Sequence, residues 1–143
     1  MSISVVYWSG TGHTQAMAEA IVKGIESAGA AAELLDVGAA DVDKLAGEKV
    51  FALGCPSMGA EELEEMEMEP FMQKLESKIA GKKILLFGSY GWGDGEWMRN
   101  WEERVKNAGA VLVGDEGVIA NEEPDAEAVA ACEAAGKKLA EEA

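Results

Sequence analysis

The stretch from Tyr7 to Gln15, YWSGTGHTQ, gathers hydrogen-bonding side chains and contains no lysine or arginine. Gly10 and Gly12 follow an apolar run and precede a helical pattern. Successive backbone N–H groups can therefore turn inward at a helix N-terminus, where the dipole favours an anion. Ser9, Thr11 and Thr14 add hydroxyl donors and His13 an imidazole. This density of donors points to a bound phosphate rather than to a tight turn alone. A triphosphatase loop would need GxxxxGK[ST], and its lysine is missing. A dinucleotide fingerprint would need a small residue where Gln15 stands. The loop suits a terminal monophosphate held by neutral donors. His13 reads either as a neutral donor in the place of an amide or as an imidazole whose charged form a dianionic phosphate favours.

Two further loops carry residues suited to a flat ring. GCPSMGAEELEEMEMEP runs from Gly54 to Pro70, and GSYGWGDGEW from Gly88 to Trp97. Met58-Gly59 and Tyr90-Gly91-Trp92-Gly93 set bulky, polarizable side chains among glycines, where packing alone rarely puts them. Together they can form two walls of a slot for an aromatic ring, with the phosphate loop at one end. The acidic residues Glu61, Glu62, Glu64, Glu65 and Glu67 read in two ways, as a solvated helix start or as a surface for basic partners. Trp8, Trp97 and Trp101 read as packing residues. Cys55 and Cys132 stand far apart without a CxxC or Cys/His cluster, so they read as buried, inert thiols.

The elements that must position these loops follow from hydrophobic patterning. Apolar runs at Ile3 to Trp8, Ala32 to Val37, Lys49 to Gly54, Lys83 to Ser89 and Ala110 to Ala120 predict five strands. Several are continuous rather than alternating, as expected of parallel strands buried on both faces. Between them, helical spacing places Met17, Ile21 and Ile25 on one face of a helix ending at Gly29. Phe71, Leu75 and Ile79 mark another that begins with Pro70 at its first position and stops at Gly81. GEWMRNWEERVKNAG gives a third helix, the segment from Pro124 onward a last one, and Asp41 to Leu45 a short turn. Alternation of this kind implies right-handed crossovers in an α/β three-layer sandwich, with a five-stranded parallel sheet in the order 2-1-3-4-5 and helices on both faces. No repeat or linker divides residues 1–143, so a single domain is expected. In such a sheet ligands bind beyond the carboxyl ends of the strands, where the loops after strands 1, 3 and 4 lie.

Composition narrows the partners. The chain of 143 residues has 27 acidic and 12 basic side chains, a formal net charge of −15. That field repels nucleic acid and anionic membranes and attracts basic proteins. MSISVVYW is too short and too weakly charged for a signal peptide, and no apolar run approaches the roughly 20 residues of a membrane span. A cytoplasmic protein is the expectation.

YWSGTGHT, GCPSMGAEELEE and LFGSYGWGDGEWM, in this order after the corresponding strands, closely resemble the short-chain bacterial flavodoxins, and the resemblance covers nearly the whole chain. It implies a flavodoxin-like sandwich with non-covalently bound flavin mononucleotide (FMN). The family pattern gives the phosphate to Ser9, Gly10, Thr11, Gly12, His13 and Thr14. It gives one side and edge of the isoalloxazine to Pro56, Ser57, Met58, Gly59, Ala60 and Glu61, with Glu61 at flavin N3. The other side falls to Ser89, Tyr90, Gly91, Trp92 and Gly93, with Trp92 stacked on the ring. His13 departs from the family's usual Asn, and Ala60 from a position where a polar residue is common.

The implied function is that of a low-potential one-electron carrier rather than an enzyme, with no metal. It would shuttle between the neutral semiquinone and the anionic hydroquinone and exchange electrons as a monomer with basic-faced reductases and acceptors. A glycine at position 59 can turn its peptide over cheaply, letting its carbonyl accept from flavin N5–H in the reduced states. Apolar walls and nearby carboxylates make the anionic hydroquinone costly. The competing expectation is an NAD(P)H-dependent FMN flavoenzyme, a small quinone or flavin reductase. A receiver-like signalling module lacks its phosphorylatable aspartate, since Gly54-Cys55 end the third strand.

Overall fold

The continuous apolar runs form strands that lie deep in the molecule. A computed structural model describes residues 2–59, 61–91, 93–114 and 116–143. Strand β1 (Ser2–Tyr7) is followed by α1 (His13–Ser27), β2 (Ala31–Asp36), the short α2 (Val42–Ala46) and β3 (Val50–Gly54). Then come α3 (Met68–Leu75), β4 (Lys83–Tyr90), α4 (Glu96–Asn107), β5 (Val111–Leu112), β6 (Val118–Asn121) and α5 (Ala126–Glu141). Every residue of β3 is buried, as are Ile84 to Ser89 of β4, whereas no residue of the edge strand β2 is fully buried. All strand pairs are parallel, and the order is β2-β1-β3-β4-β5, with β6 also pairing with β4. This is the 2-1-3-4-5 sheet that the patterning predicts.

Two details differ from expectation. The fifth strand is broken: β5 pairs with the start of β4 and β6 with its end. Between them the backbone leaves the ladder, with Gly114 at a φ of 84° and the N–H of Gly117 held by the Glu102 carboxylate of α4. The third helix begins at Met68, before Pro70, and gives way at Glu76–Lys78 to a 3₁₀ turn. Its start is drawn forward by Glu64, described below. Pro70 is tolerated because the first-turn N–H groups lack intrahelical partners anyway.

The sheet divides the core in two. On one face α1 and α5 pack, with Met17, Ile21 and Ile25 fully buried as their spacing predicts. These helices approach so closely that a Cβ at Gly24 would collide with the Glu133 carbonyl and one at Gly136 with that of Ile21. On the other face α2, α3 and α4 cover Phe51, Leu53 and Leu86, and Trp97 and Trp101 lie wholly inside as packing residues. Asp41 and Asp125 cap α2 and α5 by accepting from the N–H groups of Asp43 (2.9 Å) and Ala128 (2.8 Å). The result fixes the carboxyl ends of β1, β3 and β4 side by side.

Candidate functional site

At the end of β1 the chain makes a loop whose N–H groups converge. Gly12, the residue before α1, has a φ of 95°, a left-handed conformation that glycine adopts at little cost. Helix α1 has no acidic residue in its first turn and no side-chain cap from Gly12. Ser9 Oγ instead accepts from the N–H groups of Gly12 (3.0 Å) and Gln15 (3.4 Å), and Thr11 Oγ1 accepts from that of His13 (3.4 Å). Backbone donors and hydroxyls thus meet at a positive helix end, the chemistry that a phosphate requires. Thr14 is different. Its hydroxyl is buried, 3.0 Å from Ser89 Oγ, and accepts from Ser89 N–H at 3.3 Å, which ties the first turn of α1 to β4.

The loop after β3 is pinned in stages. Cys55 N–H donates to Phe87 O (3.1 Å), and Ser57 N–H to Ser89 O (2.9 Å). The indole N–H of Trp97 donates to Cys55 O at 3.0 Å. Met58 and Glu62 then exchange two backbone bonds of 2.8 and 2.9 Å, closing a small hairpin. Gly59 has a φ of 52°, and apart from its neighbours in the chain no atom lies within 4 Å of where its Cβ would stand. Glu61 also has a positive φ, 55°, and its Oε1 accepts from the N–H of Glu96 at 3.0 Å. It therefore caps α4 in this structure, with Gly93 packed against its carboxylate.

Beyond the hairpin, the acidic run does two different jobs. Glu64, expected among the partner-facing carboxylates, is 6% exposed. Its oxygens accept from the N–H groups of Met66 (2.7 Å), Glu67 (2.7 Å) and Met68 (3.0 Å), so it is a cap that starts α3. Burial pushes its pKa up, but the three backbone donors outweigh that and hold it below the ordinary value. Glu69 is held low chiefly by Arg104, which grips it through two bonds of 2.7 and 2.8 Å and also reaches Glu76. Glu62, Glu65 and Glu67 remain exposed.

These loops enclose a cleft of about 360 Å³. Gly10, Thr11 and His13 line it from the first loop, Pro56, Ser57 and Met58 from the second, and Ser89, Tyr90 and Gly91 from the third. Ser9, Gly12, Thr14, Gly59, Glu61 and Gly93, also expected at the site, do not line it. Ala60 and Trp92 lie outside the described residues. Trp8, expected only to pack, is a cleft wall. Glu122 is a lining residue that the sequence reading missed. It directly follows β6, its N–H donates to Tyr90 O at 2.7 Å, and its φ is 56°. The neighbour relation between the fourth and fifth strands was the available signal, since it brings the end of one against the end of the other. Cys55 and Cys132 are both buried and free, with thiol pKa values pushed up to about 12 by burial. Among the described residues no group of three or more His, Cys, Asp and Glu side chains is placed to hold a metal ion.

The electrostatics of this end are one-sided. In the segments that build it, residues 7–15, 54–73, 88–103 and 121–127, the single Lys or Arg is Arg99. Its guanidinium is committed to Asp94 at 3.0 Å. The loop after β1 is thus a local positive pole of backbone dipoles within a field of carboxylates.

Comparison with known proteins accords with this geometry. The family model described as flavodoxin matches residues 5–138. The chain is 49% identical over 138 residues to the flavodoxin of Clostridium beijerinckii, an alignment covering 96% of this chain and 99% of that one. It is 49% identical over 123 residues to the flavodoxin of Megasphaera elsdenii, covering 86% and 88%. The solution structure of two-electron reduced M. elsdenii flavodoxin matches with a TM-score of 0.89 at 46% identity, over 97% of this chain and 98% of that one. A flavodoxin from the domain Archaea matches with a TM-score of 0.89 at 28% identity, over 99% and 98%. The chain belongs to the flavodoxin family.

Proposed function

We propose that residues 1–143 act as one domain, a cytoplasmic monomer that carries electrons singly at low potential, its FMN moving mainly between the neutral semiquinone and the anionic hydroquinone. As a flavodoxin it is an FMN-binding electron-transfer protein with redox-protein partners and not an enzyme, which sets aside the NAD(P)H-dependent reductase. FMN supplies the redox chemistry, and the chain supplies binding, orientation and field. The N–H groups and hydroxyls at the start of α1 would hold the phosphate, while Met58, Tyr90 and Trp8 offer walls for the ring. Two buried free thiols support a reducing compartment. No described helix is long and apolar enough to cross a membrane.

The observation that carries the one-electron reading is Gly59. It stands between the paired Met58 and Glu62, at a φ of 52°, with no residue other than its chain neighbours within 4 Å of where a Cβ would stand. Such a peptide can turn over at small cost and offer its carbonyl to a proton present only on reduced flavin. The surrounding carboxylates disfavour the further negative charge of the second electron, lowering that potential. They also suit basic faces on the partner proteins. An anaerobic reductive titration of the FMN-loaded protein tests this. A blue neutral semiquinone is expected to accumulate before full reduction; direct passage from oxidised to fully reduced flavin would refute the one-electron reading.

A further inference from the structure

We propose that Met66 is an apolar docking anchor for a basic redox protein, set beside the cofactor cleft and ringed by carboxylates. The inference rests on the electron-carrier reading above and names the part of the surface that its protein partners touch. Met66 is 78% exposed, well beyond the other exposed large hydrophobic residues, Val111 at 54%, Ile119 at 38% and Met58 at 36%. A single exposed methionine is ordinary on a protein surface; what sets this one apart is the pinned turn that presents it and the acidic groove it lines beside the cleft.

Its position is not that of a loose loop tip. Met66 N–H donates to the buried Glu64 carboxylate at 2.7 Å, and the next two N–H groups bind the same carboxylate. The turn is held from inside while its side chain is presented outward. Met66 lines a groove of about 260 Å³ together with Trp8, Met58 and Leu63 and the carboxylate-bearing Glu62 and Glu65. Trp8 and Met58 also line the cofactor cleft, so the two hollows share a wall. A side chain seated in the groove is therefore separated from the cofactor cleft by little more than these two residues.

Charge selects the occupant. Residues 54–73 contain no lysine or arginine. Glu62, Glu65 and Glu67 are exposed and free for ion pairs with an incoming surface. The fitting partner is a protein that presents an apolar side chain surrounded by lysines. Methionine is suited to this contact because its unbranched, polarizable thioether moulds to more than one surface. The carboxylates steer the approach, and Met66 supplies the desolvated centre of the contact.

The test uses FMN-loaded, fully reduced protein mixed rapidly with a lysine-rich ferric c-type cytochrome and, separately, with ferricyanide. In each case one electron passes from flavin to ferric iron, which becomes ferrous. Met66→Ser is expected to slow the cytochrome reaction about fivefold at low salt, as the loss of one apolar contact implies. Met66→Leu should retain the rate, and ferricyanide should react unchanged with both variants. Glu62→Gln with Glu65→Gln should flatten the salt dependence for the cytochrome alone. An unchanged cytochrome rate in Met66→Ser overturns the anchor, as does an equal slowing with ferricyanide. Failure of the unmodified protein to reduce either acceptor one electron at a time overturns the carrier reading and the anchor with it.

Discussion

The two loops that face each other across the cleft are built on opposite plans. The first, Ser9 to Gln15, is fixed throughout: N–H groups close onto Ser9 and Thr11, and Thr14 is locked to Ser89 in the interior. The second, Pro56 to Met68, is fixed only at intervals, by Ser57 on β4, by the Met58–Glu62 pair and by Glu64. Between those pins lie Gly59 and Glu61, both at positive φ. A phosphate keeps its charge and shape through a redox cycle and suits a rigid cradle. A flavin edge that gains and loses a proton, as proposed for the second loop, suits a segment pinned at intervals with a glycine between the pins.

The sharpest way to break this contrast is to remove a pin. Glu64→Ala leaves three N–H groups at the start of α3 without their side-chain acceptor, that of Met68 buried, and about 2 kcal/mol of stability should be lost. Urea unfolding at neutral pH measures it. Because the folded pKa of Glu64 lies below its ordinary value of 4.5, its contribution is complete above that value and fades as pH falls through the lowered one. Glu64→Gln should therefore flatten part of the acid limb of the stability curve. A curve unchanged below pH 4.5 would show that the carboxylate's charge is not what holds the turn.

Thr14→Val tests the rigid loop. It keeps the volume but deprives Ser89 of its buried partner, at an expected cost of about 1–2 kcal/mol. FMN affinity should fall along with stability, since the variant loosens the first turn of α1 against β4. Thr14→Ser, which retains the hydroxyl, should recover most of both. Loss of stability with full affinity would mean that the cradle does not depend on this lock.

Gly59→Ala probes the free peptide. At a φ of 52° an alanine costs about 1 kcal/mol. Oxidised FMN should still bind, because the cradle is untouched. The semiquinone fraction in a reductive titration should shrink, because turning the peptide now carries a Cβ with it. An unaltered semiquinone would place its stabilisation elsewhere in the site.

What the sequence could disclose about these loops follows from how local each signal is. The order of strands and helices was legible because burial on both faces forces continuous apolar runs, as in β3, where all five residues are buried. The gathering of donors, glycines and a helix start after β1 was legible too, since these are neighbours in the chain. Glu64 was not: among six glutamates in EELEEMEMEP, nothing local marks the one whose carboxylate folds back under its own turn. Trp8 and Glu122 escaped for a related reason. Each reaches the cleft only because the sheet sets its strand end beside another. The two pieces of the fifth strand stand in the sequence as separate runs, AVLVG and GVIA; the bond from Gly117 N–H to Glu102 between them joins segments that patterning treats separately.

The smallest expected effect concerns the one imidazole in the chain, which shares the cleft with Glu122. If His13 only stands in for an amide, His13→Asn should alter FMN affinity by a constant factor at every pH. If its charged form meets the phosphate, the affinity ratio between parent and variant should be larger at acid pH than at alkaline pH. The comparison must be a ratio, because the second ionisation of the phosphate, near pH 6, changes binding in both proteins. Comparing Glu122→Gln with Glu122→Gln plus His13→Asn takes the neighbouring carboxylate out of the cleft wall and isolates the imidazole. We expect a ratio about threefold larger at pH 5.5 than at pH 8, since an exposed ion pair contributes under about 1 kcal/mol. Fluorescence titration of FMN across that range decides it, and a flat ratio would leave the first loop a neutral cradle at every pH.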